Sequence, residues 1–287
     1  MLTKNERLQI GWEILEKLVP LAPSRGRDPF SGGYQAEELD YPIGENTTSA
    51  PGVFNSLPSI QGIINQLKPL PPYNALLGVC EDGLPFMFDL SDPTPGSLLI
   101  TGEAGSGKSR LLRGILASAS TMNRPDQVSF NLICQDFGLF SDVTRTSHCT
   151  NRVSTYDRFS SGLVIDLAKI AEQRKSGRQR GPIIILAIDD LATLLSYNEF
   201  ELFSHLKWLV KYGPESGIWP IATLKAGRLN KYGKRLLEEF GTHLVGMPQP
   251  MSFPNNASGR LLGSGSSGQF ETYVNGQVVR FWTTSAG

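Results

Sequence analysis

Cysteine is scarce in this chain: Cys80, Cys134 and Cys149 are the only three among 287 residues, and no two have C-x-x-C spacing. An odd count without paired spacing argues against a disulfide framework, and Cys134 reads as a small core residue at a strand end. Long apolar runs are also missing. The longest aliphatic stretch, Ile183 to Ile188, is far short of a membrane span, and the N-terminus carries no apolar signal region. These absences predict a cytoplasmic protein with no direct membrane span. There is no excess charge of either sign, since 27 Lys and Arg balance 27 Asp and Glu. No global positive field advertises nucleic acid, so any DNA contact has to be local and shared among several subunits. Internal repeats are absent too, and the low-complexity patch Gly263 to Gly268 reads as a loop.

What the chain does contain is a complete G-x-x-x-x-G-K-[ST] string: Gly102, Glu103, Ala104, Gly105, Ser106, Gly107, Lys108 and Ser109, with Arg110 next. It stands directly behind the apolar run Ser97 to Thr101 and ahead of Leu111 and Leu112, the strand, loop and helix context that phosphate binding needs. The glycines let backbone N–H groups curl around phosphate oxygens. Lys108 brings charge to the β- and γ-phosphates, and Ser109 presents a hydroxyl to Mg²⁺. The helix that Lys108 opens adds its positive N-terminal end. ATP and Mg²⁺ are therefore the expected ligands.

About 80 residues further on, Pro182 to Ile188 form an unbroken apolar strand closed by Asp189 and Asp190. A buried strand delivers Asp189 beside the phosphate loop, where it binds Mg²⁺, and leaves Asp190 to polarise the attacking water. Many ATPases carry Glu there, and an Asp side chain is one methylene shorter. Ile218 to Thr223 forms a further strand, and Thr223 is the small polar residue at its end, where a nucleotide sensor sits if this strand lies between the two motif strands. The expected catalytic residues are Lys108, Asp189, Asp190 and Thr223.

Around these motifs the chain divides into three parts. Helical spacing of Leu8, Trp12, Leu15 and Val19 behind a Thr3/Glu6 capping box predicts an N-terminal helix within residues 1–19. Proline and glycine then dominate, so residues 20–71 read as a linker or extended arm. Residues 72–287 alternate strands with helices, which implies an α/β domain with a mostly parallel sheet. Expected strands are 85–90, 97–101, 128–134, 183–189, 218–223 and 243–247, and expected helices are 108–120, 166–175, 199–212 and 231–240. Asn275-Gly276 between two alternating runs predicts a C-terminal β-hairpin.

The order of the segments 83–90, 96–109, 128–133, 183–190, 217–223 and 260–265 resembles the FtsK and HerA family of ring-forming ATPases over about residues 72 to 285. The resemblance implies a RecA-like P-loop NTPase fold. It also implies a hexameric ring that couples ATP hydrolysis to pumping double-stranded DNA, or in secretion relatives protein, through a central pore. Gly102, Gly105, Gly107, Lys108 and Ser109 match its phosphate loop, Asp189 its magnesium carboxylate and Asp190 its catalytic glutamate. Two departures stand out. The strand that in translocases ends Ala-Thr-Gln-Arg-Pro here ends Ala222-Thr223-Leu224-Lys225-Ala226, and residues 211–216, where a basic residue acting on the neighbouring nucleotide is expected, contain Lys211 but no arginine. A DNA-translocating ATPase is therefore weighed against a hydrolysis-weak, nucleotide-gated scaffold subunit of a larger complex, and against a secretion-type ATPase moving protein. The basic clusters 169–180 and 228–235, the latter with Tyr232, are candidate polyanion contacts only if a ring repeats them.

Overall fold

Alternation of apolar strands with amphipathic helices builds, among the described residues, a ten-stranded sheet with helices on both faces. The computed structural model describes residues 59–67, 69–197, 200–225, 235–247, 268–274 and 276–284. The expected N-terminal helix, the arm up to residue 58, Arg228, Lys231, Tyr232, Lys234, residues 263–267 and Asn275 lie outside the described residues.

In chain order the elements are α1 (Ile60–Gln66), β1 (Asn74–Cys80), β2 (Pro85–Asp89), β3 (Leu98–Gly102), α2 (Lys108–Met122), β4 (Val128–Cys134) and β5 (Cys149–Ser154). They continue as α3 (Phe159–Lys175), β6 (Ile183–Ile188), α4 (Leu191–Tyr197), α5 (Phe200–Tyr212), β7 (Ile218–Lys225), β8 (Thr242–Gly246), β9 (Gln269–Val274) and β10 (Gln277–Trp282). The strand order is β2-β1-β10-β9-β8-β3-β7-β6-β4-β5. From β8 to β5 every pairing is parallel, whereas β9, β10, β1 and β2 extend the sheet antiparallel. The sheet is thus mostly parallel, and β9 with β10 forms the expected C-terminal hairpin.

Parallel strands in the middle of such a sheet are covered on both faces, which is why β4 and the end of β6 are wholly apolar or buried. One face packs on α2 through Leu111, Leu112, Ile115 and Leu116, and the other on α3 and α5 through Val164, Leu167, Leu206 and Leu209. Trp219 in β7 is fully buried, meets Phe88 edge-on at 5.0 Å and donates its indole N–H to Leu90 O at 2.9 Å. Trp219→Phe leaves that carbonyl unpaired and a void beside Phe88, so urea denaturation is expected to show a loss of about 2 kcal/mol.

Several elements differ from expectation. The arm assigned to residues 20–71 ends earlier, because Ile60, Ile63 and Ile64 of α1 pack on Leu76, Val79 and Met87. The helix expected from residue 166 begins at Phe159, where the Asp157 carboxylate accepts from the Phe159 N–H at 3.0 Å, and low-propensity Ser160, Ser161 and Gly162 hide its first turn. Within 231–240 the described residues are helical only at 235–237. Strands β1 and β5 and helix α4 are additional elements.

Candidate active site

Since β3, β7 and β6 are adjacent and parallel, their carboxyl ends lie along one edge of the sheet. The loop between β3 and α2 rises from this edge. Gly102 cannot carry a side chain, since a Cβ would come within 2.7 Å of Ser106 Oγ. Gly107, the residue before α2, has φ 95°, a left-handed conformation that glycine adopts without steric cost. Glu103, Ala104 and Gly105 form the exposed crown of the loop, and Ser106 is its buried anchor, whose carbonyl accepts from Gly268 N–H at 3.1 Å. Lys108, Ser109 and the exposed Arg110 make up the first turn of α2, whose leading N–H groups have no partner within the helix.

Lys108 curls back over the loop, donating to Glu103 O at 2.7 Å and approaching Ser106 Oγ at 3.4 Å. Burial holds its ammonium below the ordinary lysine range; Asp189, Glu103 and Asp190 oppose that shift, and Lys225 adds to it. Lys225 belongs to the same edge, paired in register with Gly102.

Opposite Lys108, a hydroxyl–carboxylate chain links three elements. Ser109 on α2 donates to Asp189 Oδ1 at 2.8 Å, and Thr223 at the end of β7 donates to the same oxygen at 2.8 Å. Burial raises the Asp189 carboxyl above its ordinary range; the Thr223 and Ser109 hydrogen bonds pull it down, Asp190 pushes it up and Lys108 lowers it. Thr223 Oγ1 also accepts the Asp190 N–H at 2.8 Å. β7 indeed lies between the two motif strands, and Leu224 is buried in the core behind Thr223.

Asp190 is differently employed. Its φ is 67°, unusual for a residue with a Cβ, and the Thr223 hydroxyl holds its N–H. Its side chain caps α4: Oδ1 accepts from Thr193 N–H at 3.3 Å and Oδ2 from Thr193 Oγ1 at 2.6 Å. The Asp190-x-x-Thr193 spacing was readable as a cap in the sequence, but the run of acids after an apolar strand drew attention to metal binding instead.

The residues fit a nucleoside triphosphate and Mg²⁺. The loop offers helix N–H groups and an ammonium that trades one carbonyl for phosphate, and a serine hydroxyl beside a carboxylate is the small oxygen donor set with which Mg²⁺ is commonly held. Lys211, the basic residue of the 211–216 stretch, faces Glu239 at 3.5 Å, and Lys207 faces the same carboxylate at 3.3 Å. In the 169–180 cluster Lys169 pairs with Asp166, Lys175 with Glu215, and Arg174 donates to Ser216 O and Gly217 O.

A model of the FtsK/SpoIIIE family matches residues 71–194, from just before β1 into α4 and so across both motifs. This stretch belongs to the FtsK/SpoIIIE family. The FtsK/SpoIIIE-type ATPase domain is a divergent one. The ESX-5 secretion system protein EccC5 of Mycobacterium marinum is 24% identical over 169 residues, covering 50% of this chain and 12% of that protein. Among solved structures, Thermomonospora curvata EccC (ATPases 2 and 3), in complex with a signal sequence peptide, superposes with TM-score 0.57 at 20% identity. That match covers 82% of this chain and 44% of the other. EssC (ATPases 2 and 3) from Geobacillus thermodenitrificans gives TM-score 0.61 at 16% identity, over 83% of this chain and 48% of the other. These structures share the α/β P-loop fold. The chain spans about one eighth of the length of EccC5. Among the described residues no helix is long and apolar enough to cross a membrane.

Proposed function

We propose that this chain binds ATP with Mg²⁺ and hydrolyses it as one subunit of an oligomeric ring, hexameric by family resemblance, that moves double-stranded DNA. The observation that carries the reading is the chain Ser109–Asp189–Thr223 beneath the phosphate loop, which joins the two motifs and the intervening strand at one point. Lys108 and the N–H groups opening α2 hold the phosphates, Ser109 and Asp189 hold Mg²⁺, and Thr223 orients Asp189. When bound, Mg²⁺ supplies charge neutralisation for the phosphate oxygens. The zero net charge of the chain is compatible with DNA passing through a ring, because repetition multiplies any modest local positive surface.

A second reading, a nucleotide-gated module with slow turnover, is favoured by Asp190, whose two carboxylate oxygens are both engaged by Thr193. A peptide in place of DNA is suggested by the secretion-system relatives alone.

Turnover of the purified chain with and without long double-stranded DNA, beside Lys108→Ala, separates these. The motor reading expects DNA to raise turnover at least about tenfold, or roughly 1.4 kcal/mol off the barrier. ATP binding with turnover no higher than in the Lys108→Ala control favours the gated module, and stimulation by a signal-type peptide but not by DNA favours secretion. Mass in solution with and without ATP tests the ring.

A further inference from the structure

The alternation of β7 sends its side chains to two different places. Ile221 belongs to the core that packs on α2 with Leu111 and Leu112, whereas Ala222 and Leu224 belong to the core under α3 and α5. By the two-residue period of a strand, Thr223 and Lys225 therefore leave the sheet on the α2 side. Thr223 shows where that direction leads, since its hydroxyl donates to Asp189 Oδ1 at 2.8 Å beside Ser109. Lys225 is one step further along the same face, as the last residue of the strand.

The strand pairing brings Lys225 up to the phosphate loop. β3 and β7 run parallel with Thr101 opposite Leu224 and Gly102 opposite Lys225, so the last residue of β7 stands beside the first residue of the loop. Adjacent strands are about 4.8 Å apart, a gap that a four-carbon side chain spans. Lys225 is half-buried, and no carboxylate among the described residues forms an ion pair with it. Its field is felt at Lys108, where it adds to the effect of burial and outranks the opposing field of Asp190.

Two ammonium groups thus converge beside the N-terminus of α2, whose first N–H groups carry partial positive charge of their own. In the empty protein the like charges repel. An anion of several charges removes that cost, and a triphosphate carries its densest charge on the terminal group. Asp189, tied to Ser109, marks the magnesium side of the triphosphate, where the metal bridges β- and γ-oxygens. The end of β7 that carries Thr223 and Lys225 borders that same side.

We propose that Lys225 is a second phosphate-binding cation, which contacts the γ-phosphate within its own subunit, distinguishes ATP from ADP and neutralises charge on the γ-phosphate oxygens during hydrolysis. The inference rests on the reading that ATP with Mg²⁺ occupies this site. No bond forms to Lys225 and no proton leaves it. Its contribution is electrostatic, for which a point-like ammonium suffices. Part of the charge of the arginine that residues 211–216 lack is in this way supplied from inside the subunit.

Lys225→Ala, Lys225→Gln and Lys225→Arg in the full chain test this, through equilibrium binding of fluorescent ADP and of a non-hydrolysable ATP analogue, each with Mg²⁺, and through ATP turnover. Loss of the ammonium is expected to weaken the ATP analogue about tenfold, leave ADP within about twofold of the parent and lower kcat about 100-fold, with Lys225→Arg recovering most of both. The melting temperature without nucleotide should stay within about 2 °C of the parent, because no ion pair among the described residues is lost. A merely structural lysine would instead weaken both nucleotides together and lower the melting temperature. Equal weakening of ADP and the analogue, or parental affinity for both in Lys225→Ala and Lys225→Gln, overturns the assignment. If the parent binds the analogue without turning ATP over, hydrolysis fails as a reading while the two affinities still decide for or against Lys225. A parent that binds neither nucleotide overturns both.

Discussion

Lys108→Ala is expected to yield a folded protein whose ATP turnover falls on the order of 10³-fold, with nucleotide affinity reduced as well. The ammonium bonds to the loop itself, at Glu103 O and Ser106 Oγ, and its removal takes that positive charge from the place where the phosphates are expected. The fold has little to lose. Burial already disfavours the charged Lys108, and Glu103 O lies at an exposed loop crown where water replaces the lost donor. The melting temperature of the nucleotide-free variant should therefore stay within about 2 °C of the parent, which corresponds to less than about 1 kcal/mol. Parental turnover in this variant would remove the phosphate loop from the mechanism. A large drop in melting temperature would instead mean that Lys108 is structural.

Much of this site is legible in the residue order because the physics that makes it also leaves a local mark. A phosphate loop needs glycines at fixed spacing before a helix, and a central parallel strand needs an apolar run on both faces, so Gly102 to Ser109 and Ile183 to Ile188 announce themselves. The placement of Thr223 was also readable, since a strand between the motif strands must end at the same edge. Strand β5 left no such mark. It is an edge strand whose Thr150, Asn151 and Arg152 are exposed, and a polar edge is hard to tell from a loop. Strand β1 escaped notice because it sits between two proline-containing stretches and its apolar run is broken by Gly78. The employment of Asp190 depends on a backbone angle and on a hydroxyl from β7 that is 33 residues away, neither of which a local pattern encodes.

Asp189→Asn is expected to separate function from stability in opposite directions. The amide oxygen can still accept from Ser109 and Thr223, so the hydrogen-bond chain survives while the charge is removed. Burial raises the Asp189 carboxyl above the ordinary range, so the folded state favours its protonated form. The contribution of this group to stability is then fully present below the unfolded carboxyl value, near 3.9, and is lost as pH rises through the folded value. At neutral pH the ionised, desolvated carboxylate is a net cost to the empty protein. Asparagine removes that cost, and thermal unfolding without nucleotide should show a melting temperature at least equal to the parent's at pH 7 and above, with the advantage shrinking as the solution is acidified. Nucleotide reverses the ranking. Mg²⁺ and ATP stabilise the parent by mass action, whereas Asp189→Asn, lacking the anionic oxygen, should gain little from them and turn over at least about 100-fold more slowly. A variant that loses stability when empty would show that the Asp189 charge serves the fold; one that keeps both its Mg²⁺-ATP stabilisation and its turnover would show that the ion is held elsewhere.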